Sequence, residues 1–254
     1  MFGMLSSDIE IRREAFPWGR AYIIEGANEA PLILPSVTTV LKLLKNEKYE
    51  KLREQFGDKK WDKILHDAAE RGTVMHRMLE LFLLEWAKEK DVERSLKKAQ
   101  IFAIEESRRD EGIYAKYVNK GRDLFWNFYH DKFWENILEV VDNEAFLYTT
   151  FKGGWAGACD FVFRDLEYNL IVDDFKSSTS PKDEEDILSY KLQISAYMFM
   201  CAEKYKEVPK VGRIRIANEQ TSTIQTFEVH DYELKDYLNQ FIDLAKKFRE
   251  IHSI

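Results

Sequence analysis

Cysteine is almost missing from this chain of 254 residues: Cys159 and Cys201 are the only two. Two isolated cysteines make neither a disulfide framework nor a zinc or iron–sulfur site, and they fit a reducing, intracellular setting. Proline occurs five times and glycine eleven times, with no stretch rich in either, so no linker or clean domain boundary shows. No apolar run approaches the ~20 residues of a membrane-spanning helix, and the N-terminus lacks a signal-peptide pattern, so no membrane association is expected. There is no Gly-rich phosphate loop ending in Lys-Ser/Thr, no dinucleotide fingerprint, no Ser-His-Asp setting and no zinc spacing. Basic residues are also in deficit, 38 against 45 acidic ones, for a net charge of −7. That balance excludes a uniformly basic surface but leaves room for basic residues gathered locally.

What is present is a globular composition, 45% hydrophobic and 33% charged, with plentiful aromatics at 14%. Residues 9–25, with Ile9, Ile11, Tyr22, Ile23 and Ile24, predict a small hairpin around Pro17-Trp18-Gly19. Ser36 reads as the N-cap of a helix that carries Val37, Val40, Leu41 and Leu44 on one face. The pattern is then helical to about residue 138, with breaks near Gly57, Asp91 and Gly112, and one long helix is predicted over Tyr114–Ile137. Strands follow at 139–150, 155–164 and 169–176, then a helix at 185–205, strands at 210–218 and 222–229, and a helix at 231–251. This order is a mixed α+β (α/β) plan: a central mixed sheet flanked by helices, with a helical N-terminal elaboration. A single domain is expected, with the elaboration at 1–64, a core at 65–230 that includes a helical insertion at about 90–138, and a closing helix at 231–254.

The strand ending Asp174-Phe175-Lys176 carries the chemistry. Alternation places Asp174 and Lys176 on one face and Asp173 and Phe175 on the other. A hairpin centred on Glu167 pairs Arg164 with Leu170 and sets Asp160 opposite Asp174, on a face shared with apolar Val162 and Val172. Like charges directly across a strand pair destabilise it, whereas a divalent cation between them would remove the repulsion. Solvated outward positions are the plain alternative for such a triple. Ala156, Gly157 and Ala158 are small enough to let a backbone or substrate approach Asp160. On a preceding helix His76 and Glu80 lie four apart on one face, a spacing that can support a metal or simply form a polar stripe. Gln193 and Tyr197 share a helical face in the same way, placed to bind a phosphate or to hold Lys176.

Taken in order, Gly72-Thr73-x-x-His76-x-x-x-Glu80, Gly157-Ala158-Cys159-Asp160, Asp174-Phe175-Lys176 and Gln193-x-x-x-Tyr197 resemble the PD-(D/E)XK nuclease superfamily. The likeness is to its RecB-like exonuclease branch, and Pro35-Ser36-Val37-Thr38-Thr39-Val40 is similar to the opening of phage and mitochondrial members. The resemblance implies a restriction-endonuclease-like core and catalytic roles for Asp160, Asp174 and Lys176. It implies Mg²⁺ or Mn²⁺ held by His76, Asp160, Asp174 and the Phe175 carbonyl, with Lys176 activating water and stabilising the pentavalent phosphate. Gln193 and Tyr197 would orient site and strand, and Glu80 and Glu144 would stand farther out. The iron–sulfur cluster of some relatives needs four cysteines and is excluded. The expected activity is hydrolysis of DNA, single-stranded and from free ends. A flap or branch endonuclease and a catalytically silent DNA-binding module are the alternatives. Lys42, Lys45, Arg71, Arg77 and Lys191 are the candidate phosphate contacts. The aromatic residues of the N-terminal helices are candidates for stacking bases.

Overall fold

The structure, a computed structural model, describes residues 10–26, 30–44, 46–112, 114–184 and 186–254. Ile9 and Lys45 fall outside these residues. The predicted hairpin forms from β1 (Glu10–Phe16) and β2 (Gly19–Glu25), and a short β3 (Leu32–Pro35) extends it to three strands. Ser36 caps α1 (Val37–Val40): its hydroxyl accepts from the Thr39 amide at 3.1 Å. Thr39 in turn donates to the Arg20 carbonyl at 3.0 Å, and Ser36 bridges to Ala156 of the main sheet. Buried Ala156 packs with Ile24 and Leu34, so this small residue is used to seat the N-terminal sheet and not to admit a ligand.

Four helices divide the next stretch: α2 (Asn46–Phe56), α3 (Asp58–Glu89), α4 (Val92–Ser107) and α5 (Ala115–Asp131). The breaks fall at Gly57, at Asp91, which caps α4 by accepting from the Arg94 amide at 3.0 Å, and at the turn containing Gly112. α3 runs unbroken across residues 64 and 65. Val74, Met75, Met78, Leu79, Phe82, Leu83 and Trp86 recur at three- and four-residue steps, which gives α3 one continuous apolar stripe. The single helix predicted over Tyr114–Ile137 is not formed. Lys132 adopts a left-handed φ of 55°, ends α5, and starts a 3₁₀ turn that drives Phe133 and Trp134 into the core.

The main sheet has the order β4–β5–β6–β7–β8, with β4 (Ile137–Thr149), β5 (Trp155–Asp165), β6 (Leu170–Ser178), β7 (Val211–Asn218) and β8 (Ile224–His230). Only β6 and β7 are parallel, joined through α6 (Leu188–Tyr205); α7 (Leu234–His252) closes the described chain. Helices α3 to α5 cover one face, where Phe82, Phe125, Phe128, Phe133, Phe161, Phe163 and Phe175 pack together. Helices α6 and α7 cover the other, over Trp155, Val162, Val172, Ile214 and Ile216. With both faces buried, Leu170-Ile171-Val172 reads as a continuous apolar run and not an alternation. Each such buried Phe or Leu contributes about 1.5–3 kcal/mol. Tyr114, Tyr117, Phe125, Phe128 and Trp134 are spent on this core, which replaces the base-stacking role expected for them. The mixed sheet between helical layers is the fold class expected from the sequence.

Gly121 sets how closely α5 approaches α3. A Cβ there would stand 2.5 Å from the Val74 Cβ and 2.8 Å from the Arg71 carbonyl oxygen. Gly121→Ala is therefore expected to destabilise the protein by about 1–3 kcal/mol through overpacking, against the small gain in helix propensity that Ala brings. Urea unfolding followed by circular dichroism measures this; an unchanged midpoint would show that the helices separate freely.

Candidate active site

Four elements converge where β5 and β6 part. The hairpin register is the expected one, with Arg164 opposite Leu170, but the ladder stops at Phe161 and Asp173, one step before Asp160 and Asp174. Alternation along β5 also slips at this point. Cys159 and Val162, an odd and an even position, both face the α6–α7 core, whereas Phe161 faces α3 to α5. Asp160 consequently does not share the Val162 face as predicted. It occupies the gap between the strands, where its Oδ2 accepts from the Phe175 amide at 2.5 Å and its Oδ1 lies 3.3 Å from Nδ1 of His76 on α3. Across β4, Glu144 holds a left-handed φ of 53° between the regular pairs Asn143–Phe161 and Ala145–Cys159. A non-glycine residue in that region costs of order 1 kcal/mol or more and is retained where the surroundings require it. Here it brings a third acidic side chain to the cleft.

Ligand atoms of His76, Glu144 and Asp160 all lie within 4.8 Å of one another. One imidazole and two carboxylates form a mixed donor set that suits a divalent first-row metal, so the residues fit the cation the motifs imply. Asp174 is nearly inaccessible, at 2% exposure, and its two oxygens are engaged inside the protein. Oδ2 is paired with the Lys176 ammonium, and Oδ1 accepts from Gln193 Nε2 at 3.2 Å. The same amide nitrogen reaches the Tyr197 hydroxyl at 3.1 Å. Gln193 and Tyr197 are both buried, and thus brace Asp174 from α6 and do not reach a bound strand in this arrangement. Gly157 permits this, since a Cβ there would meet the Tyr197 ring at 2.7 Å. Glu80 pairs with Arg77, and Asn143 donates to its carbonyl at 3.3 Å; Glu80 stands outside the His76–Glu144–Asp160 group. Tyr190, not singled out from the sequence, lies one helical turn before Gln193 and sets its ring 5.7 Å from the Lys176 ammonium.

The charges shift one another in opposite directions. Desolvation in the cleft, reinforced by repulsion from Asp160, pushes the Glu144 carboxyl up to about 7, although Glu144 is itself an exposed residue. Burial pushes Asp174 up to about 6, with Lys176 opposing. Burial also acts upward on Asp160, but His76, Lys176 and the Phe175 amide outweigh it and leave that carboxyl below its usual range. His76 and Lys176 would be lowered by burial, yet the neighbouring carboxylates outweigh it and raise both. Lys176 is accordingly an ammonium at neutral pH.

A model of the PD-(D/E)XK nuclease superfamily matches residues 47–252. The chain belongs to that superfamily. Among solved structures, a candidate exonuclease from Eubacterium rectale aligns at 14% identity with a TM-score of 0.43, covering 61% of each chain. The protein SSO0001 aligns at 14% identity with a TM-score of 0.37, covering 68% of this chain and 74% of its own. This chain thus spans about three fifths of the E. rectale protein. No curated protein matches the sequence. For a PD-(D/E)XK nuclease the arrangement is chemically apt: acidic oxygens, an imidazole and an ammonium share one cleft.

Metal binding should depend on pH in a direction these shifts define. A carboxyl raised to about 7 holds its proton in the metal-free fold, so it favours folding at low pH and loses that contribution as pH rises from 4.5 to 7. A cation needs the deprotonated form and displaces that proton. Calorimetry in two buffers of different ionisation heat should show proton release on Mn²⁺ binding at pH 6.5, and tighter binding at pH 8. Glu144→Gln should reduce both effects; binding that is independent of pH in the wild-type protein would contradict the assigned donors.

Proposed function

We propose that this nuclease is a Mg²⁺- or Mn²⁺-dependent deoxyribonuclease that degrades single-stranded DNA from free ends. The observation that carries the reading is the convergence of His76, Glu144, Asp160 and the Asp174–Lys176 pair from α3, β4, β5 and β6 on one cleft. His76, Glu144 and Asp160 would hold the metal, with Asp174 and the Phe175 carbonyl completing the set. When bound, the metal supplies a Lewis acid for a phosphate oxygen and an acidified water as nucleophile. Lys176 faces the cleft as an ammonium and donates to a non-bridging phosphate oxygen, where charge builds in the transition state. Gln193, held by Tyr197, keeps Asp174 oriented so that ion pairing with Lys176 does not swing it away from the metal.

The preference for DNA, for single strands and for ends rests on the resemblance to RecB-like exonucleases. An enzyme that threads its strand past α3 must load at an end, so linear single strands should be degraded while circles of the same sequence survive. Rapid cutting of circles would instead favour a flap or branch endonuclease. Asp160→Ala and Asp174→Ala should abolish cleavage and weaken metal binding. Lys176→Ala should lower cleavage by about 10²–10⁴-fold yet retain the metal, because an ammonium repels a cation. Circular dichroism serves as the check on folding. Wild-type turnover in either aspartate variant at matched metal would remove the central assignment.

His76→Ala tests the nitrogen ligand separately. Mg²⁺ prefers an all-oxygen octahedron, whereas imidazole suits Mn²⁺. The variant should lose Mn²⁺-supported activity more than Mg²⁺-supported activity. Equal rates with both metals, unchanged from wild type, would return His76 to a structural role.

A further inference from the structure

The parallel pair β6–β7 ends at Ser178 and Asn218, and open sheets bind ligands beyond the carboxyl ends of parallel strands. Beyond these ends lies a group of donors that the metal site does not use. Arg71, one residue before Gly72 on α3, extends over the β6 terminus, and its Nη2 donates to Thr179 Oγ1 at 2.9 Å. Its Nη1 lies 3.4 Å from Oε2 of Glu219, whose Oε1 accepts from Lys120 of α5 at 2.9 Å. One carboxylate thus spans two cations. Gly121, next to Lys120, lets α5 approach closely enough for this arrangement.

Donors exceed acceptors here. The Arg71 side chain is 11% exposed, and among the described residues its buried Nε has no acceptor. The Nδ2 of fully buried Asn218 also has none among the described residues, while its Oδ1 accepts from the Gln220 and Thr221 amides at 3.2 and 3.3 Å. Those two amides fix the orientation of the Asn218 amide, so exchanging its oxygen and nitrogen would not supply the missing acceptor. For the Arg71 and Lys120 cations, an anion with several oxygens offers more acceptors than the single Glu219 carboxylate they share.

The location suits a nucleic-acid strand. Gly72 and His76 are one turn of α3 apart, about 6 Å along the helix axis. Ser177 follows Lys176 on β6, and its Oγ lies 3.4 Å from where a Gly72 Cβ would stand, so the helix and strand remain close between the two sites. A strand leaving the metal site along α3 would bring a later phosphate to Arg71. The contact is ionic and independent of base identity.

We propose that Arg71, Lys120 and Thr179 form a second phosphate-binding position, which the Glu219 carboxylate occupies until a phosphate of the same DNA strand displaces it. The proposal rests on the deoxyribonuclease reading above. Glu219 then acts as an electrostatic competitor: it keeps the two cations placed in the free protein and weakens binding by the cost of its own displacement. Removing its charge should strengthen binding, whereas removing Lys120 should weaken it.

The test is binding of a fluorescein-labelled thymidine oligonucleotide in Ca²⁺ at several salt concentrations, with a gel to verify that the strand stays intact. Lys120→Ala should weaken binding by about threefold to tenfold and reduce the salt slope by about one. Glu219→Gln should tighten binding by a similar factor. Calcium affinity, read in the same protein without DNA, should not change in either variant. If the Lys120–Glu219 pair served only to hold α5 against β7, both variants would shift binding in the same direction, in step with a fall in melting temperature, and the proposal would be overturned. Unchanged binding in both variants, with wild-type protein that binds and cleaves DNA, would overturn this position and spare the nuclease reading. Wild-type protein that neither binds nor cleaves the strand would overturn both.

Discussion

Three carboxylates, Glu144, Asp160 and Asp174, share one cleft, and their mutual repulsion is the constraint around which the centre of the molecule is arranged. Without a cation, that repulsion is held down by His76 against Asp160, by Lys176 against Asp174, and by the proton that Glu144 holds up to about pH 7. Gln193 and the Phe175 amide add hydrogen bonds to individual oxygens. These groups come from α3, β4, β5, β6 and α6, so the cleft exists only when α3, the sheet and α6 are packed. The same repulsion makes the site a receptor for a divalent ion, which replaces protons and weak partners with one strong counter-charge.

The two hydrophobic cores supply the rigidity this requires. Phe175 anchors β6 among Phe128 and Phe133 on one face, while Val172 and Ile214 anchor it on the other. A second buried ion pair steadies the same strand: Arg213 makes two hydrogen bonds to fully buried Asp173, at 2.7 and 3.0 Å, across the parallel pair. Asp173 and Asp174 are adjacent in sequence but serve different ends, because alternation sends the first to a fixed arginine and the second to the cleft. Breaking a buried pair by removing one partner is far more costly than losing a surface pair, which gives the strand carrying Asp174 and Lys176 a firm position.

Much of the site was legible because its parts obey local periodicity. Asp174 and Lys176 share a strand face by alternation, His76 and Glu80 a helical face by four-residue spacing, and Gln193 and Tyr197 likewise. The less legible parts are those where periodicity fails or where distant elements meet. Asp160 leaves its predicted face because alternation slips beside it, and Glu144 reaches the cleft through a left-handed residue that no acidic pattern announces. Arg71 was legible as a cation near the motifs, but not its sharing of Glu219 with Lys120. The core role of Tyr114, Tyr117, Phe125, Phe128 and Trp134 was illegible for a related reason: a Phe or Tyr on a helix looks the same whether it stacks on a base or on another Phe.

By itself the sequence determined the order of the elements, the cap at Ser36, the helix break at Asp91, the hairpin register through Arg164 and Leu170, and the family to which the chain belongs. These depend on backbone conformation and on spacing within one element or one turn, where a few neighbouring residues carry the information. Tertiary structure decided which acids gather with His76, that Gln193 holds Asp174 instead of Lys176, where α5 ends, and that Gly157 makes room for Tyr197. Those outcomes depend on the packing of helices on both faces of the sheet, where burial and electrostatic interaction act between residues far apart in the chain and no local pattern encodes the distance.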